Sequence, residues 1–160
     1  MSPCVAHILH KLLKKLDGTT DDGYLNVNAT LMERPSCKPG LILVVEDEPI
    51  IREFVCEMLG LEGYETLAAE NADLALEALN SRANEVTLLL TDIRMPGTMD
   101  GAGLSNLTRD RWPRIPILIM SGHETPESSG VLHPVTFLRK PWTIGQMIDG
   151  VEHALGVSAG

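Results

Sequence analysis

The chain has 160 residues, 44% hydrophobic, 22% charged and 4% aromatic, with a formal net charge of −9. That length suits one domain plus a modest extension, and so few aromatics leave a mainly aliphatic core. The acidic balance argues against non-specific nucleic-acid binding, no run approaches the about 18 apolar residues of a bilayer span, and three scattered cysteines (Cys4, Cys37, Cys56) suit a reducing cytosol, not a disulfide scaffold or zinc site.

Residues 5–16, VAHILHKLLKKL, space Val5, Ile8, Leu9, Leu12, Leu13 and Leu16 along one helical face. His7, His10, Lys11, Lys14 and Lys15 fall on the other, giving a short basic amphipathic helix suited to a partner or an anionic surface. The lysines interrupt the place of a signal-peptide core. Residues 17–40, rich in Gly, Thr, Asp, Asn and Pro, read as a linker. Residues 1–40 are therefore expected to be a dispensable extension, much of which a start at Met32 would omit. The domain is expected over 41–156, with 157–160 a tail.

From Leu41 the pattern alternates regularly. LILVVE (41–46) is an apolar run of the kind buried on both faces of a parallel sheet. Asp47 is placed to cap a helix that starts near Pro49 and runs to about Leu59, with Gly60 and Gly63 punctuating its end. YETLAA (64–69) is a second strand, and Asn71 caps a helix carrying Leu74, Ala75, Ala78 and Leu79. VTLLLT (86–91) is a third strand, followed by the loop Asp92–Asp100 and a helix near 102–111. IPILIMS (115–121) and VTFLRK (135–140) are the fourth and fifth strands, and Trp142–Leu155 make a last amphipathic helix. Strands alternating with helices predict an α/β fold, a doubly wound five-stranded parallel sheet covered on both faces.

Ligands of such sheets sit at the carboxyl ends of the strands, near a topological switch point. Here those ends carry Glu46 and Asp47, then Asp92, Ser121 and Lys140, the single lysine of residues 41–160. Three carboxylates in one crevice repel one another unless a cation lies between them, and hard oxygen donors with room for water suit Mg²⁺. A hydroxyl and an ammonium beside them supply what a phosphoryl group requires, and a carboxylate so placed is a candidate nucleophile.

VVEDEP, LLLTDIRMPGTMDG, ILIMSG and FLRKPW, in this order over about residues 40–156, resemble the receiver domain of two-component response regulators. The resemblance implies a flavodoxin-like receiver fold with Asp92 as phosphoacceptor. It further implies a Mg²⁺ site of Glu46, Asp47, Asp92 and the Arg94 backbone carbonyl. Ser121 and Lys140 match the phosphoryl-binding pair, Phe137 the switch aromatic, and Lys140–Pro141 a cis bond. The phosphoryl group would come from the phosphohistidine of a histidine kinase or phosphotransfer protein. With few residues after the last helix, output is expected through contact with a downstream protein. The expected chain is cytoplasmic, without nucleic-acid contact or metabolite turnover. Arg94 and His123, two residues past Asp92 and Ser121, would tune the lifetime of the phosphoryl group.

Each residue also has a plain structural reading. Glu46 and Asp47 would serve as helix caps, Asp92 as a turn former, Phe137 as core and His123 as an exposed loop residue. Two rival functions stand beside the first. A Mg²⁺-dependent phosphohydrolase using an aspartyl phosphate would want a second acid where Arg94 stands, and a substrate cap. A degenerate receiver would only bind partners, against which the intact set of polar residues speaks. The segment GHETPESSGVLHPVT departs from the family: with Pro126, Gly130 and Pro134 and few large apolar residues it predicts a shortened or absent fourth helix. A mobile loop and a monomer or weak dimer are the expectation that follows.

Overall fold

The structure is a computed structural model that describes residues 38–157. The expected helix 5–16 and most of the linker lie outside the described residues, as do residues 158–160. Five strands, β1 (Leu41–Val45), β2 (Glu65–Ala69), β3 (Val86–Asp92), β4 (Ile117–Ser121) and β5 (Thr136–Arg139), form one parallel sheet in the order β2-β1-β3-β4-β5. Four helices connect or follow them: α1 (Pro49–Leu61), α2 (Ala72–Arg82), α3 (Gly101–Arg111) and α4 (Ile144–Leu155).

Side chains alternate across a strand, so a continuous apolar run must be covered twice. Leu43, Val45, Leu89 and Ile119 meet Ala72, Ala75 and Leu79 of α2 and Leu104 of α3 on one face. Ile42, Val44, Leu90 and Met120 meet Val55, Met58 and Leu59 of α1 and Met147 and Val151 of α4 on the other. Phe54 and Trp142 stack at 6.2 Å beside this second layer.

Helix starts follow their capping residues. Asn71 accepts from the Leu74 amide at 2.8 Å, Asp100 accepts from the Gly103 amide at 2.8 Å, and Thr143 forms a capping box with Gln146. The first helix corrects the sequence reading. Its N-cap is Glu48, without a side-chain cap, and Asp47 lies one residue too early to serve. Pro49 at the first helical position has no N–H to be capped. The helix also runs through Gly60 to Leu61, and the chain turns only at Gly63, whose φ of 90° suits glycine.

Between β4 and β5 the chain makes a single turn at residues 126–128 and no helix. The segment is fastened to α3 instead. Asn106 donates to the Gly130 carbonyl at 3.0 Å and accepts the Leu132 amide at 2.9 Å, while the His133 ring lies 3.2 Å from the Ser105 carbonyl. Among the described residues no helix is long and apolar enough to cross a membrane.

Candidate functional site

The parallel register brings the strand ends level. Val45 pairs with Thr91, Asp92 with Met120, and Ser121 with Arg139. Glu46 and Asp92 therefore emerge side by side, at the point where connections leave β1 and β3 in opposite directions, and Ser121 and Lys140 emerge on the neighbouring strands. The Lys140 amide donates to the Ser121 carbonyl at 2.8 Å, and the Lys140–Pro141 bond is cis, as the resemblance implied.

Lys140 Nζ lies 3.0 Å from both Glu46 Oε2 and Asp92 Oδ2. The Glu46 side chain is 0% exposed, its Oε1 accepts the Glu48 amide at 3.2 Å, and the Arg52 guanidinium grips the Glu46 carbonyl at 2.7 Å. Burial pushes the Glu46 carboxyl above its ordinary value, outweighing the hydrogen bond and charge of Lys140. Burial pulls the other way on Lys140, yet the hydrogen bonds and charges of Glu46 and Asp92 together hold its ammonium above the ordinary lysine value.

One oxygen each of Glu46, Asp47 and Asp92 lies within 4.8 Å of the others. The set is all hard oxygen, and two of its three members are partly solvent-accessible. It fits a small divalent cation that retains water, and no thiolate or imidazole is present to favour a softer metal. The floor of this crevice is tight. A Cβ at Gly101 would overlap the Asp92 carbonyl and come within 2.9 Å of Ile93 Cα, and the Gly101 amide donates to the Ile93 carbonyl at 2.8 Å.

The remaining expected residues are placed differently. Arg94 follows β3, but its guanidinium turns to Glu124. His123 is exposed. Phe137 is half-buried, packed with Val131 and Val135 against the α2–α3 face of the core. Glu124, which sequence reasoning missed, is bound by both Arg94 and the Ser121 hydroxyl. These two hydrogen bonds, that of Ser121 foremost, lower its carboxyl to about 2. Its signal was the Ser-x-x-Glu spacing of a capping box over 121–124, unread because Pro126 forbids the helix that normally follows.

The family description "Response regulator receiver domain" matches residues 42–152. Among curated proteins the chain is 34% identical over 119 residues to the response regulator protein FleR of Pseudomonas aeruginosa, covering 72% of this chain and 24% of that one. It is equally 34% identical over 119 residues to the DNA-binding transcriptional regulator NtrC of Escherichia coli, covering 72% of this chain and 25% of NtrC. The chain thus spans about a quarter of the length of these curated relatives. Among solved structures, the receiver domain of NtrX from Brucella abortus is similar with a TM-score of 0.66 and 37% identity, over 73% of this chain and 99% of that one. A response regulator receiver protein from Sinorhizobium medicae gives a TM-score of 0.68 at 30% identity, over 76% and 98%.

Proposed function

The chain belongs to the response regulator receiver domain family, and from that membership we propose that it accepts a phosphoryl group on Asp92 from the phosphohistidine of a kinase or phosphotransfer protein. The observation that supports this most is the Lys140 ammonium, 3.0 Å from both Asp92 and Glu46, beside a trio of carboxylates that fits a divalent cation. Lys140 sets a positive charge 3.0 Å from the Asp92 oxygen beside the one that would act as nucleophile. An Asp92 oxygen attacks phosphorus, the P–N bond to the donor imidazole breaks, and the imidazole leaves with its electron pair.

Glu46, Asp47, Asp92 and the Arg94 carbonyl would hold Mg²⁺, which supplies charge neutralisation for the carboxylates and the phosphoryl oxygens. Ser121 would donate its hydroxyl hydrogen, and Lys140 its charge, to the transferred group. Phe137 would transmit the change toward β5, and Arg94 and His123 would set how readily water reaches the phosphoryl group. Output would run through a contact with a downstream protein.

The test is intact mass after incubation with acetyl phosphate and Mg²⁺. The expected result is one added phosphoryl group, absent in Asp92→Asn. Unchanged labelling of that variant would refute the assignment, and repeated turnover of a phosphoester would point to a hydrolase.

A further inference from the structure

The hydroxyl of Ser121 is already engaged. It donates its hydrogen to Glu124 Oε2 and accepts the Glu124 amide at 3.0 Å, while Glu124 Oε1 takes the Arg94 guanidinium. Ser121 is fully buried. The Glu124 side chain is 11% exposed and that of Arg94 73% exposed, so the arginine covers the carboxylate from the solvent side. A serine hydroxyl carries one hydrogen. Donation to Glu124 and donation to a phosphoryl group on Asp92 therefore exclude each other, and an anionic acceptor makes the existing bond a strong competitor.

Resting on Asp92 as phosphoacceptor, we infer that Glu124 is a positioning residue that latches Ser121 in the unphosphorylated chain and is displaced when Asp92 is phosphorylated. The phosphoryl oxygens take the Ser121 hydrogen, and Glu124, a negative charge beside a new negative group, leaves. Its departure breaks the hydrogen bonds that hold Ser121 to the chain just before the turn at residues 126–128, a turn that the Asn106 bonds to α3 engage from Gly130 onward. No helix between β4 and β5 is available to move, so the latch itself is what phosphorylation changes.

Four readouts on the full chain test this. Glu124→Ala should raise the equilibrium extent of labelling by acetyl phosphate with Mg²⁺ about tenfold at limiting donor, the worth of one hydrogen bond to a charged group. Glu124→Gln should raise it less, because a neutral amide still accepts, more weakly. Combined with Ser121→Ala, most of the gain should vanish, whereas a purely general charge effect would persist. In wild type, exchange of the Glu124 amide should accelerate on phosphorylation. No gain, a gain of equal size in the Ser121→Ala background, or an amide indifferent to phosphorylation would overturn the inference. A wild-type chain that takes no phosphoryl group would overturn the functional reading and this one with it. The two failures are told apart in unlabelled protein, where the Ser121–Glu124 contact reports itself as a protected Glu124 amide whose exchange Ser121→Ala accelerates.

Discussion

Lys140 stands between Asp92 and a Glu46 side chain that has no solvent contact, so it is the partner that makes a buried carboxylate tolerable. Removing one member of such a pair leaves the other charge uncompensated, at a cost of roughly 3 kcal/mol. Lys140→Met should therefore lower unfolding free energy at pH 7 by about that amount in urea titrations. The pH trend follows from Glu46. Its carboxyl lies above the ordinary value because of burial, and an acid raised on folding is favoured by protonation. The deficit of Lys140→Met should narrow as pH falls through the carboxylate range, and a deficit independent of pH would contradict the pairing. Glu46, Asp92, Ser121 and Lys140 were legible because each ends or directly follows a strand, and parallel neighbours in register must deliver their ends together. Glu124 was only half legible: the Ser-x-x-Glu spacing marks its bond to Ser121, but Arg94, its other partner, is 30 residues away in the chain, and no local pattern reports that contact.

The helices show the same divide between local and distant causes. Asn71, Asp100 and Thr143 each accept the amide three residues on, and α2 starts where the Asn71 cap predicts. The start of α1 was read one cap too early, since a proline-led first turn needs no side-chain acceptor. The missing helix between β4 and β5 was legible from proline, glycine and the scarcity of large apolar residues. What holds that segment in its place was not, because Asn106 and His133 act across 24 to 28 residues. Gly101, the first residue of α3, is likewise fixed by a distant neighbour. Its missing Cβ leaves room for the Asp92 carbonyl. Backbone cannot yield as a flexible side chain does, so Gly101→Ala should destabilise by roughly 1–3 kcal/mol. It should also lower phosphoryl acceptance by displacing Asp92. Chemical denaturation alongside acetyl-phosphate labelling checks both, and a fully stable, fully labelled variant would show that the contact is not restrictive.

At the scale of the whole molecule, residues 41–160 carry a large acidic excess, and the fold gathers Glu46, Asp47 and Asp92 at one end of the sheet. Their mutual repulsion is a folding cost that a bound cation removes. If Mg²⁺ binds the native crevice and not the unfolded chain, it stabilises by mass action, by about 1.4 kcal/mol at a concentration ten times its dissociation constant. For a domain of this size that corresponds to a rise of several degrees in Tm. Salt alone also screens an acidic protein, so the comparison must be made against NaCl at matched ionic strength, where only site binding leaves a residual shift. Asp47 separates the two effects, being the member of the trio without a Lys140 contact. Asp47→Asn should melt slightly higher than wild type in chelator, because one repelling charge is gone, and should show a much smaller Mg²⁺-specific rise. A variant whose Mg²⁺ response equals that of wild type would place the cation elsewhere on the acidic surface.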